Sequence, residues 1–314
     1  MELQWPLILF TSFLAASAGV FGAQGVYALK DKGQKAQTPA LFISLILLII
    51  GGIAVFLHLQ HWERIFNGFG NPTSGITQEL VAIVVMVIIM VIYFVYIRRT
   101  AGEIKIPKWV AILAIVVSVV LAAVCAHSYM MPSRPAWDGI VQLLSVVGAA
   151  CGFGPAVVAA LSKSNRKSGI WNKLEGCGDD AYADDEGEAD KPLNERVPFI
   201  GAIVNAVCTV AYLIYLCTIG SIFTQVPYYF DPVGPTRGIN DVTSVSAFSG
   251  DAMTYSVCAL LLVIVGVITA YMGKKSDNWK TWGAATALVV LIGAIVLRVV
   301  FYVLGISVFA FFDV

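Results

Sequence analysis

The chain has 314 residues, 58% hydrophobic and 13% charged, with a formal net charge of zero. A soluble domain carries roughly a quarter charged residues, so a large soluble domain is excluded. The balanced charge also gives no electrostatic footprint for nucleic acid.

The mean hydropathy of +0.81 points to lipid as the solvent. Crossing the hydrocarbon takes about 20 apolar residues, and lipid cannot satisfy backbone polar groups, so such a run must be helical. Eight runs qualify, at 6–29, 39–59, 77–97, 107–127, 136–161, 197–224, 249–272 and 281–311. The sequence therefore predicts an all-α polytopic membrane protein, an eight-helix bundle forming a single transmembrane domain over 1–314. No basic residue precedes Trp5 and Glu2 is acidic, so the first run reads as a retained span rather than a cleaved signal peptide.

Lysine and arginine set the orientation. Sixteen of the twenty fall on alternate loops, at 30–35, 98–108, 163–196 and 274–280. Only Arg64, Arg134 and Arg237 fall on the other loops, and Arg298 lies inside the last span. This bias assigns the first group to the cytoplasm and both termini to the outside, in the cytoplasmic membrane. Trp5, Trp62 and Trp137 then mark outer span ends and Trp109, Trp279 and Trp282 inner ends, as interfacial anchoring expects.

The cytoplasmic loop 162–196 turns acidic over 179–190 and reads as a flexible, solvated linker. The outer loop 225–250 carries Tyr228, Tyr229 and Phe230 before Pro232, Gly234 and Pro235, a turn-rich stretch whose aromatics suit a partner or the headgroups. Gly19, Gly22 and Gly25 in the first span, with Gly148, Gly152 and Gly154 in the fifth, predict close helix packing.

Ionisable residues inside a membrane are costly and are candidate functional groups. His58 ends the second span, with His61 and Arg64 at i+3 steps beyond it. Glu79 opens the third span, His127 ends the fourth, and Arg298 lies in the outer half of the eighth, with Tyr302 one turn on. Four helices thus bring such groups to the outer leaflet. Arg298 has no route to water except by snorkelling, so a carboxylate partner is expected, and Glu79 is the natural one. A histidine and a carboxylate beside an apolar space suit a quinol. Its headgroup needs hydrogen bonds at two oxygens, its tail needs lipid, and its oxidation releases two protons to bases.

Only three histidines exist, all near one side, so a b-type haem with paired axial ligands is not expected. The six cysteines form no C-x-x-C pair and five lie in apolar runs, so neither is an iron–sulfur cluster, a structural zinc or a disulfide framework. Electrons from a quinol would leave directly to a partner's cofactor.

The stretch His58-Leu59-Gln60-His61-Trp62-Glu63-Arg64-Ile65-Phe66-Asn67, followed by Ser74 and Gln78-Glu79, resembles the membrane-anchor subunit of dimethyl sulfoxide reductase. So do Arg298-Val299-Val300-Phe301-Tyr302 near the end and Trp5-Pro6-Leu7 with Phe10-Thr11 at the start. The resemblance implies an anchor that oxidises menaquinol as bound substrate. It would pass electrons to an iron–sulfur subunit, and from there to a molybdopterin catalytic subunit, both on the outer side. It implies a quinol pocket built from His58, Arg64, Glu79, Arg298 and Tyr302, with His58 and Glu79 taking the protons. Gln60 and Trp62 depart from the family's usual Gly and Pro at those steps, and the acidic loop looks like an insertion. The competing readings are a proton-coupled secondary transporter and a structural tether without quinol chemistry.

Overall fold

A computed structural model of the chain describes residues 3–58, 70–100, 104–163, 170–176, 190–223 and 245–308. Among these residues the protein is all-helical, with eight helices long and apolar enough to cross a membrane. It is a multi-pass membrane protein. The spans are α1 (Trp5–Leu29), α2 (Gln34–His58), α3 (Gly75–Arg99), α4 (Lys108–His127), α5 (Gln142–Ser162), α7 (Lys191–Thr218, extended by the single turn α8, Gly220–Phe223), α9 (Ala252–Ser276) and α10 (Trp279–Val303). A short helix, α6 (Ile170–Glu175), follows α5. The central acidic residues of 179–189 and the outer-loop aromatics Tyr228–Phe230 lie outside the described residues.

Helices α1 to α4 pack as one group and α5, α7, α9 and α10 as another, with α1 and α5 joining them. These two joining helices are the most enclosed, each with 72% of its apolar window buried. Glycine makes the seam. A Cβ on Gly154 would sit 1.9 Å from the Gly19 carbonyl oxygen, and one on Gly19 would sit 2.3 Å from that of Ala150. Without side chains there, the two backbones approach closely enough for dispersion and interhelical hydrogen bonds to replace the hydrophobic drive that lipid removes. The exposed faces of α2, α3, α4 and α9 carry Ile, Val and Leu, as lipid-facing surface requires.

Polar pairs hold the helices in register. Ser17 and Ser44 bond each other and each other's backbone between α1 and α2. Gln24 donates to the Gln37 carbonyl and Tyr93 to the Gln37 side chain, while Tyr27 donates to Asn194, which donates to Ser162. At the end of the bundle where α1 finishes, Asp190 accepts from the Gly33 backbone and Arg98 donates to the carbonyls of Lys173 and Leu174. Lys163 meets Asp277 at 3.1 Å on the same end. An apolar crevice of about 280 Å³ lies between α1, α4, α5 and α7, lined by Ala18, Gly22, Ser118, Cys151 and Gly201 among others.

Three span ends differ from the sequence reading. Helix α5 starts at Gln142 rather than 136, because 128–141 carries Pro132, Pro135 and Gly139 and folds as turns. Helix α7 starts earlier, at Lys191, with Pro192 in its first turn, where a missing N–H costs nothing. Helix α10 stops at Val303, and the chain turns back so that the Val308 N–H donates to the Ser133 carbonyl. Two tryptophans read as interfacial anchors are instead enclosed by protein. Trp279 lies across Gly273, whose lack of a Cβ makes room for the ring, and Trp137 is buried among aromatics. Trp5 and Trp109 are half exposed, as anchors are.

The seam gives a direct stability test. Gly154→Ala is expected to cost about 1–3 kcal/mol or more by overpacking, read as a lower thermal midpoint of the detergent-solubilised protein. Gly52→Ala, where an added Cβ meets nothing within 4 Å, is the control and should not lower that midpoint. Equal effects at both positions would contradict the seam.

Candidate functional site

The site forms where α3 and α5 begin and α4 and α10 end. Asn71, Pro72 and Thr73 make the turn into α3. Gly75 lets that turn press on α4, since a Cβ there would sit 2.8 Å from the Cα and Cβ of Ser128. One turn later Glu79 faces the end of α4. It is buried, and Ser128 Oγ donates to its Oε1 at 2.6 Å, with the Cys125 carbonyl 3.0 Å from the same hydroxyl. Charge-assisted bonds of this length are the strong kind.

On α10, Arg298 is only 5% exposed, and its guanidinium lies over the Phe301 ring, 4.9 Å from the centroid. Neither terminal nitrogen has a hydrogen-bond partner among the described residues, and the buried Tyr302 hydroxyl lies near Tyr129. Glu79 and Arg298 feel each other's charge, and Tyr129 and Tyr302 lie within the same field. The pairing of Arg298 with Glu79 expected from sequence is electrostatic only, with no direct hydrogen bond between them. Ser128 takes the carboxylate, and an aromatic face takes the cation.

That face belongs to a longer stack. Trp137 lies parallel to Phe301 at 4.8 Å and 4°, and its Nε1 donates to the Phe301 carbonyl at 2.7 Å. Arg134 also lies over the indole, 4.6 Å from its centroid, and donates to the Gly305 carbonyl. Each of the two stacked rings thus carries a guanidinium, Arg134 on the indole and Arg298 on the phenyl. Cations favour the negative face of an aromatic ring, more so when desolvated. Tyr129 meets Trp137 and Phe301 edge-on. Burial holds the Tyr129 phenol well above its ordinary pKa, so near neutrality it stays a donor. Tyr215 donates to the Pro135 carbonyl at 3.0 Å and Gln142 donates to the Ala126 carbonyl. The segment 128–141 is thus pinned to α4, α7 and α10.

Of the residues singled out by sequence, Glu79, Arg298 and Tyr302 come together. His58 is exposed at the end of α2, and no hydrogen bond, ion pair or ring contact joins it to them. His127 is exposed at the end of α4. Arg64 and His61 lie outside the described residues. Sequence reasoning missed Ser128, Tyr129, Arg134 and Trp137. The available signal was Arg134 and Trp137 three residues apart in a proline-bounded loop, on the side that holds few basic residues.

The DMSO reductase anchor subunit (DmsC) family matches residues 1–174, more than half of the chain. The chain belongs to this family. Comparison with curated proteins returns no match. The matched part of the anchor contains Glu79, Cys125, Ser128, Tyr129, Arg134 and Trp137, whereas Arg298 and Tyr302 come from the part beyond it.

Replacing Trp137 with Leu removes the ring stack, its hydrogen bond and one face for Arg134. The expected loss is about 2–4 kcal/mol, seen as a lower unfolding midpoint of the anchor in detergent. An unchanged midpoint would show that the stack holds nothing together.

Proposed function

We propose that this anchor oxidises menaquinol at the end of the bundle that holds Glu79, and that this end faces outward in the cytoplasmic membrane, with both termini on the same side. The observation that carries the reading is a buried carboxyl, Glu79, beside a buried guanidinium and a buried tyrosine at one depth, each near a helix end. A quinol losing two electrons also loses two protons, and a positioned carboxylate is a suitable first acceptor. Ser128 holds that carboxylate in place. Arg298 would stabilise negative charge growing on the quinol oxygen as its proton leaves, because a fixed cation at low dielectric needs no reorganisation.

His58 stands exposed at the end of α2, where an imidazole suits the passage of protons to water. Arg64, six residues on, is assigned to the headgroup from sequence alone. The electrons leave to an iron–sulfur subunit docked on the outer face and then to a molybdopterin subunit, and the quinone returns to the bilayer. The family supports an anchor role in such a complex. The transporter reading fits less well. Transporters place charged groups at the midplane, whereas many of the deeper polar side chains described here are neutral and bond one another.

Glu79→Gln keeps the shape of the site and removes its base. In a purified complex reduced with a menaquinol analogue, turnover should fall by about 10²-fold or more, with subunit assembly unchanged. His58→Ala should fall less. Unaltered oxidation in the Glu79→Gln complex would defeat the assignment.

A further inference from the structure

Arg298 forms one wall of a small cavity between α1, α5 and α10, with Thr11, Ser12, Ser145, Ala149 and Ala294. The three hydroxyls already donate within their own helices. Thr11 donates to the Leu7 carbonyl at 3.0 Å, Ser12 to that of Ile8 at 2.8 Å and Ser145 to that of Gln142 at 2.7 Å. Their oxygens are therefore left to the cavity as acceptors only, while Arg298 brings N–H donors that no group among the described residues accepts. No direct hydrogen bond joins the two sets. The space between them has about 10 Å³ of room for the centre of a water molecule, which suits one water.

A buried donor without an acceptor is costly, and natural proteins resolve such sites with ordered water. We propose that this cavity is a buried water site. One water accepts from Arg298 and donates to two of the three hydroxyl oxygens, and through it α1 and α5 hold the guanidinium toward Glu79. That gives it the number of bonds an internal water normally makes. Thr11, Ser12 and Ser145 then act as positioning residues for proton uptake, and this second part rests on the quinol-oxidising reading above. The site also accounts for two consecutive buried hydroxyl residues on α1, Thr11 and Ser12, where packing alone would take alanine.

Two measurements on the whole complex test this. A structure in lipid nanodiscs, at a resolution where ordered waters are visible, should show density within hydrogen-bonding distance of Arg298 and at least one of the three hydroxyls. A dry cavity, or a side chain reaching both guanidinium nitrogens, overturns the water site. Ala149→Val should fill the cavity, and the milder Ser145→Ala removes one acceptor if the first variant does not assemble. Either should move the pH profile of menaquinol-analogue oxidation by about one unit, a tenfold change in proton activity, with KM for the analogue unchanged. A fall in rate at constant pH profile overturns the positioning role. A wild-type complex with the density present but no quinol oxidation sinks the functional reading, and the positioning role with it, while leaving the water site established.

Discussion

A charged guanidinium in the bilayer has to be housed, and the end of the bundle where α10 finishes is built around housing one. Arg298 could have been matched with a carboxylate at hydrogen-bonding distance. The fold instead lays it on Phe301, stacks Phe301 on Trp137, and lays Arg134 on Trp137. The arrangement leaves the terminal nitrogens of Arg298 without an acceptor among the described residues, while Glu79 is held from the end of α4 by Ser128 and Cys125. A fully neutralised ion pair would be inert toward a ligand. In the quinol-oxidising reading proposed above, a cation and an acid that sense each other without bonding are the pair that meets the headgroup.

That arrangement depends on helix contacts made far from the charges. Gly19 against Gly154 sets how closely α1 meets α5, and α5 carries α10 against the first group of helices. Gly75 sets how closely α3 meets α4, and so the bond from Ser128 to Glu79. Glycine is used here for proximity alone, since these residues are helical and need no unusual backbone conformation. Polar pairs such as Ser17 with Ser44 then fix register along helices that lipid would otherwise let slide.

The eight spans were legible because lipid forces long apolar runs into helices, and the two glycine clusters were legible as contact faces. Glu79, Arg298 and Tyr302 were legible because ionisable and phenolic groups stand out against an apolar background. Ser128 and Tyr129 were not, because they follow the end of α4, where helical periodicity stops carrying information. Trp137 was read as an anchor, since an indole at a span end has the same sequence signature whether it meets headgroups or a phenylalanine on another helix. The partner of Arg298 was misjudged for a related reason. Sequence shows charges more readily than ring faces, so a carboxylate looked like the natural counterpart. The family match ends at 174, so the half of the site on α10 was legible from its residues rather than from that match, and the fold brings it beside Glu79.

The account's central claim is that a quinol meets the protein between the ends of α3, α4 and α10. Photolabelling of the assembled complex with a menaquinone analogue carrying its reactive group on the ring, followed by peptide mapping, tests this most directly. The account predicts label on peptides containing Glu79, Ser128 or Tyr129 and on the peptide containing Arg298 to Tyr302, displaced by unlabelled menaquinone. Displaceable label confined to the mid-bilayer crevice around Gly22, Cys151 and Gly201, or to α7 and α9, would contradict it.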